Sequence, residues 1–168
     1  LGLRTAAKPD SQDVCFITRA QGRGTFLGDR IPLTPARVVD LDGTPVGRVP
    51  AVELVTLGQR KGLGLPGGTD PRYVVDVDRA TATVTVGGPA DLLVAEQAVA
   101  GWAWAAGPEA GEVRVQVSAH GRAHPAAVVD DGSGSVVVRW AQPQRRVAPG
   151  QSVVAYVDDE VVGGARAR

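Results

Sequence analysis

The sequence predicts a mainly β protein. Short valine-rich runs recur along its length, 22 glycines and 12 prolines in 168 residues punctuate them, and no stretch sustains a 3.6-residue apolar period over a dozen positions. Arg37–Leu41 and Thr44–Gly47 flank Asp42-Gly43, a pair suited to a hairpin turn because glycine tolerates positive φ. Tyr73–Val77 and Thr83–Val86 are joined by residues 78–82, and the second arm stops at Gly87-Gly88-Pro89, where proline has no N–H to pair. Beyond Pro89 come Val113–Val117, then Ala126–Val129 and Val136–Trp140 separated by residues 130–135, then Val153–Val157 and Val161-Val162 around Asp158-Asp159-Glu160. Hairpin-like units at roughly 8–12-residue spacing predict a small barrel or sandwich. The expected organisation is a leading segment at 1–20, a small β-rich unit at 21–91 and a closed barrel at 92–168, with no internal repeat.

Composition narrows the function classes. With 43% apolar residues the chain can bury a core as one ordinary domain or two small ones. Eighteen basic and eighteen acidic residues cancel, so no global field advertises a polyanion partner, while a local basic strip stays compatible with the total. No run approaches the roughly 20 apolar residues of a membrane helix, and the start L-G-L-R-T-A-A-K lacks a signal-peptide core. The expectation is a cytoplasmic protein without a membrane partner. Cys15 is the single cysteine, which excludes an internal disulfide framework and fits a reducing compartment. With no methionine, and an opening that reads like the end of a helix, the chain is expected to be part of a longer protein.

Cys15 follows a polar, turn-forming approach, K-P-D-S-Q-D-V, and runs into Phe16-Ile17, so its thiol is expected where loop meets strand. A lone cysteine between Val14 and Phe16 is commonly a small buried hydrophobe. A reactive one needs its thiolate stabilised, which Lys8 favours and Asp10 and Asp13 oppose. These residues leave both readings open. Gly58-Gln59-Arg60-Lys61-Gly62-Leu63-Gly64 fits neither the Walker spacing nor the dinucleotide fingerprint. Arg60 and Lys61 are instead candidates for RNA phosphate contact, with a solvated turn as the competing reading. His120 and His124 lack companions at ligand spacing, so no metal site is expected. Trp102, Trp104 and Trp140 suit either base stacking or a core, the core being the commoner role. With no second cysteine or C-x-x-C, a thiol redox enzyme ranks well behind.

K-P-D-S-Q-D-V-C-F-I at residues 8–17, with G-R-G-T-F-L at 22–27, resembles the signature around the sulfur-carrying cysteine of bacterial tRNA-specific 2-thiouridylases. The likeness continues in order through V-D-L-D-G-T-P-V-G at 39–47, T-L-G-Q-R-K-G-L-G-L at 56–65, P-R-Y-V-V-D-V-D at 71–78, A-P-G-Q-S-V-V-A-Y at 148–156 and V-V-G-G-A near the terminus. The resemblance implies an SH3-like central domain, a translation-factor-like barrel that binds tRNA, and a residue 1–20 remnant of an ATP-binding catalytic domain. It further implies that Cys15 carries a persulfide, supplied by a cysteine desulfurase or a sulfur-relay protein, to carbon 2 of an ATP-activated wobble uridine. ATP with Mg, the acid/base aspartate and a second cysteine that forms a transient disulfide belong, by the same resemblance, to a part of the family absent from this chain. No S-G-G-x-D-S-type loop is present, so the chain is expected to be inactive alone. Ser118 and Ala119 stand where relatives often carry a basic residue and an aromatic one, and Gln151 matches a tRNA-contacting glutamine. His120, Arg122, His124, Arg139, Arg145 and Arg146 are candidates to restore the positive charge that Ser118 lacks. A uridine must leave its stack to be modified, so the Cys15 loop is expected to be mobile without RNA and to close over the base. The alternative reading is a noncatalytic β-barrel RNA-binding module with a structural cysteine.

Overall fold

A computed structural model describes residues 22–67, 70–107, 111–130 and 136–168. Cys15, the whole 1–20 segment with the loop expected there, and residues 131–135 lie outside the described residues. Strands dominate, as the valine runs predict, and they form two separate sheets.

A short helix, α1 (Gly22–Gly28), leads in. Three glycines in seven residues hide it from a propensity reading, and it is docked from outside, where Arg23 Nη2 donates to the Leu54 carbonyl at 2.6 Å. The first sheet runs β2-β1-β4-β3, with β1 Ala36–Val39, β2 Pro45–Val49, β3 Tyr73–Asp78 and β4 Thr83–Gly87. Both expected hairpins are present as antiparallel pairs. They join through a parallel pairing of β1 with β4, Val38 opposite Val84, over a core of Val38, Val52, Val74, Val84 and Val86. The first hairpin turns differently from the two-residue reading. The N–H of Gly43 donates to Asp40 O at 3.0 Å and the N–H of Asp40 donates to Thr44 O at 2.9 Å. Gly43, at φ +81, therefore closes a three-residue loop of the bulged type.

The second sheet closes into a six-stranded barrel, β10-β5-β8-β7-β6-β9. Its strands are β5 Leu93–Trp104, β6 Glu112–Gln116, β7 His124–Asp130, β8 Val136–Arg145, β9 Ser152–Val157 and β10 Glu160–Ala167. The longest, β5, has no valine run to announce it, because alanine is a poor strand former. Alternation still works there: Gln97 and Val99 are buried while Ala98 is exposed. At Gly101, φ +66, β5 takes up one extra residue against β10, a glycine bulge of the kind that bends barrel strands. Val99, Val113, Val115, Val138, Trp140, Val153 and Ala155 fill the interior.

Gln97 is the one buried polar side chain among the described residues, 4% exposed, and its amide is fully used. Its Oε1 accepts from Val147 N at 2.9 Å, and its Nε2 donates to Ala98 O at 3.0 Å and Arg168 O at 3.3 Å. This ties the segment after β8 and the last residue to β5. Between the sheets, Arg146 reaches Asp76 at 3.8 Å and Val75 O at 3.5 Å, an exposed link worth about 0–1 kcal/mol.

Closing the barrel leaves no room beside Gly163: an added Cβ there would lie 2.9 Å from Ala103 O and 3.1 Å from the Trp104 ring. Gly163→Ala is expected to cost about 1–3 kcal/mol in urea denaturation. Gly67→Ala, where a Cβ meets nothing within 4 Å, is expected to stay within about 0.5 kcal/mol. Equal midpoints for the two variants would show that β5 and β10 back away without cost.

Candidate functional site

A cleft of about 470 Å³ opens on the outer face of the barrel, where the β6–β7 loop meets the segment entering β9. Strand register assembles it. Val153 and Ala155 point into the core, so Ser152, Val154 and Tyr156 face outward and make the floor. The β6–β9 pairing sets Gln116 opposite Val154, and the β9–β10 pairing sets Arg166 opposite Ser152. Ser118 and Ala119 form one wall, Gly150 and Gln151 the other. Three residues singled out in the sequence for RNA contact, Ser118, Ala119 and Gln151, thus line one cavity although Gln151 lies more than thirty positions from the other two.

Both loops are held by side-chain amides. Gln116 Nε2 faces three carbonyls of the first loop, Ser118 O at 2.9 Å, Ala119 O at 3.3 Å and Gly121 O at 2.9 Å. The turn is tight enough that a Cβ at Gly121 would collide with Ser118 Oγ. In the second loop Gln151 Oε1 accepts from Ala148 N at 3.3 Å, and Gln151 N donates to Ala148 O at 3.2 Å. Gly150, at φ +87, donates its N–H to Ala167 O at 2.9 Å. Arg166 Nη1 in turn donates to Gly150 O at 2.9 Å.

Gln116, Tyr156 and Arg166 were not singled out by sequence. The signal for Arg166 was its alternation with Ala165 and Ala167 in G-G-A-R-A-R, which faces it outward once those residues are known to be a strand. It supplies the only cation lining this cleft and has no carboxylate at ion-pair distance among the described residues. The basic residues proposed from sequence are disposed otherwise. Arg139 pairs with Glu96 at 2.8 Å and Arg146 with Asp76, while neither these nor Arg145 lines the cleft. Arg60 and Lys61 are exposed on the loop that packs against β2 and also stand apart from it.

The remaining sequence candidates take structural places. Trp140 is buried in the barrel core with Trp102 packed against it, and Trp102 meets Trp104 edge to face at 5.2 Å. In the glycine-rich loop, Gly58 N donates to Val74 O and Gln59 N to Thr56 O, while Gln59 Nε2 donates to Lys61 O at 2.8 Å. Those two backbone amides and the Gln59 side-chain amide are committed to carbonyls of the protein. Among the described residues no three His, Cys, Asp or Glu side chains gather as metal ligands. A larger cleft of about 550 Å³ on the first sheet is lined by Asp40, Asp42 and Asp70 beside Arg72, carboxylates that repel a polyanion.

Residues 24–88 match the family model described as tRNA methyl transferase PRC-barrel domain, and residues 94–167 the one described as aminomethyltransferase beta-barrel domain. Relatives named tRNA-specific 2-thiouridylase MnmA align over 98% of this chain. Those of Beutenbergia cavernae and Mycobacteroides abscessus are 43% identical and that of Roseiflexus sp. 41%. The chain belongs to the tRNA-specific 2-thiouridylase family. It spans about half the length of these curated relatives, 45–48%, and corresponds to the family's central and carboxy-terminal regions. No helix among the described residues is long and apolar enough to cross a membrane.

If Gln116 holds the Ser118–Gly121 carbonyls, Gln116→Leu frees that loop while leaving the barrel closed. Hydrogen exchange at residues 117–121 is expected to quicken by at least tenfold, with exchange in β5 and β10 unchanged; unaltered loop exchange would deny the glutamine this role.

Proposed function

We propose that this chain is the tRNA-binding part of a tRNA-uridine 2-sulfurtransferase, and that Cys15 carries the sulfur. What supports the binding reading is the convergence of Ser118, Ala119 and Gln151 with Arg166 in one preformed cleft. Polar loop groups and a fixed cation suit an RNA backbone, and the Tyr156 ring on the floor suits a base. We place the division between a central unit and the tRNA-binding barrel near residue 92. Arg60 and Lys61, exposed on the central unit, are placed as secondary phosphate contacts.

For the chemistry, the terminal sulfur of a Cys15 persulfide attacks carbon 2 of an activated wobble uridine. The carbon–oxygen bond breaks, AMP leaves, and a second thiol then attacks the Cys15 sulfur to release the thiocarbonyl. That second thiol is no residue of this chain, whose single cysteine is Cys15. Activation by ATP with Mg is assigned to no described residue. The persulfide is supplied by a cysteine desulfurase or a sulfur-relay protein, in the cytoplasm where tRNA is modified.

A noncatalytic RNA-binding module is the second reading, favoured by a cleft whose described lining comes wholly from the barrel. Intact mass after incubation with a cysteine desulfurase and cysteine separates the two. A gain of one sulfur by the wild-type chain, absent from Cys15→Ser, is the expected outcome. An unmodified thiol in a chain that still binds an anticodon-arm RNA would favour the binding module.

A further inference from the structure

The cleft contains a cation whose geometry goes beyond a general affinity for RNA. Arg166 stands on β10, its place fixed by pairing with Ser152. One of its N–H groups is tied to Gly150 O at 2.9 Å. A guanidinium carries five N–H donors in a planar fork, so this bond orients the group and leaves other donors directed to the cleft and solvent. No carboxylate among the described residues neutralises it. The residues around it, Ser118, Gln151, Ser152 and Tyr156, bring hydroxyls, an amide and a ring, and no further charge.

We propose that Arg166 is the phosphate anchor of this cleft, gripping a phosphodiester of the bound RNA with the free edge of its guanidinium. The inference rests on the reading of the cleft as an RNA surface and assigns the charge that this surface needs. Arginine suits the task because its fork matches two phosphate oxygens. The Gly150 carbonyl fixes the fork before RNA arrives, so less rotamer freedom is lost on binding. A phosphate contact reads no base, so Arg166 contributes equally to every RNA that fits the cleft. Sequence discrimination is left to the Ser118–Ala119 wall, Gln151 and Tyr156.

The test measures binding of an anticodon-arm stem-loop to the full 168-residue chain across a salt series, for wild type, Arg166→Gln and Arg166→Lys. Arg166→Gln is expected to bind roughly three- to tenfold more weakly and to flatten the slope of log K against log salt by about 0.7–1. Arg166→Lys retains the charge and is expected to keep the wild-type slope. Scrambling the loop sequence of the RNA leaves the Arg166→Gln ratio unchanged. Weaker binding by Arg166→Gln with an unchanged salt slope would mean that the arginine only holds the Gly150 turn, and the assignment falls. Wild-type binding matched by Arg166→Gln overturns the assignment while the RNA reading survives. A wild-type chain that binds no RNA overturns that reading and the assignment together.

Discussion

The barrel closes through β5 and β10, and the cleft lies on strands that this closure holds in place, β6, β9 and β10. β5 begins the barrel and β10 ends it, so the pairs Val99–Ala167 and Trp104–Gly163 join residues about sixty to seventy positions apart in sequence. Closure removes the two free edges that an open six-stranded sheet would expose. It demands a strand with no side chain at Gly163, where the Ala103 carbonyl and two indole rings crowd the backbone. The register then carries Arg166 to the position opposite Ser152 and within reach of Gly150 O. The sequence-distant closing contacts raise the contact order of the barrel, which slows folding.

Glutamine organises the connections that closure leaves behind. Gln59, Gln97, Gln116 and Gln151 each direct the side-chain amide at backbone groups of an irregular segment. A mainly β chain has many turns whose N–H and C=O groups find no ladder partner. A neutral amide offers donors and an acceptor together without the desolvation cost of a charge. Gln97 shows the gain most clearly: it is nearly fully buried, and both ends of its amide are used. At the cleft the same device has a functional consequence. Loops already held by Gln116 and Gln151 lose less conformational freedom on meeting a ligand than free loops would.

Much of this architecture was legible before any coordinates. Valine runs and turn pairs identified both hairpins of the first sheet, together with β6, β7, β8 and β9, because a half-buried strand must alternate and a tight turn needs a residue that accepts its backbone angles. The misses have physical reasons. β5 is alanine-rich, and Val161-Val162 announced only the start of β10, which runs on through Gly163-Gly164; in both, tertiary pairing overrides propensity. The parallel β1–β4 join was invisible because alternation states which face is buried and never names the neighbouring strand. At the cleft, Ser118, Ala119 and Gln151 were named through family resemblance. Their meeting depends on register across β6, β9 and β10, which no local pattern encodes. Arg166 looked like one more arginine in a terminal G-G-A-R-A-R until β10 turned it outward beside them.

A net charge of zero is compatible with a polyanion partner because screening makes electrostatics local. At physiological salt the Debye length is about 8 Å, so only groups within one or two such lengths set the potential at the cleft. Arg139 and Arg146 are matched by Glu96 and Asp76 on other parts of the surface and cancel there. The acidic turn Asp158-Asp159-Glu160 joins β9 to β10, six residues along β9 from Ser152. At about 3.3 Å per residue the turn stands roughly 20 Å from the level of Arg166 and is screened there, while Tyr156 at the near end of the cleft floor is only two residues from Asp158. Along β9 and β10 the outer face therefore changes sign, positive at the Gly150 end and negative at the turn. A phosphate backbone laid along these strands would be attracted at the first end and repelled at the second, so the asymmetry favours contact at the Gly150 end.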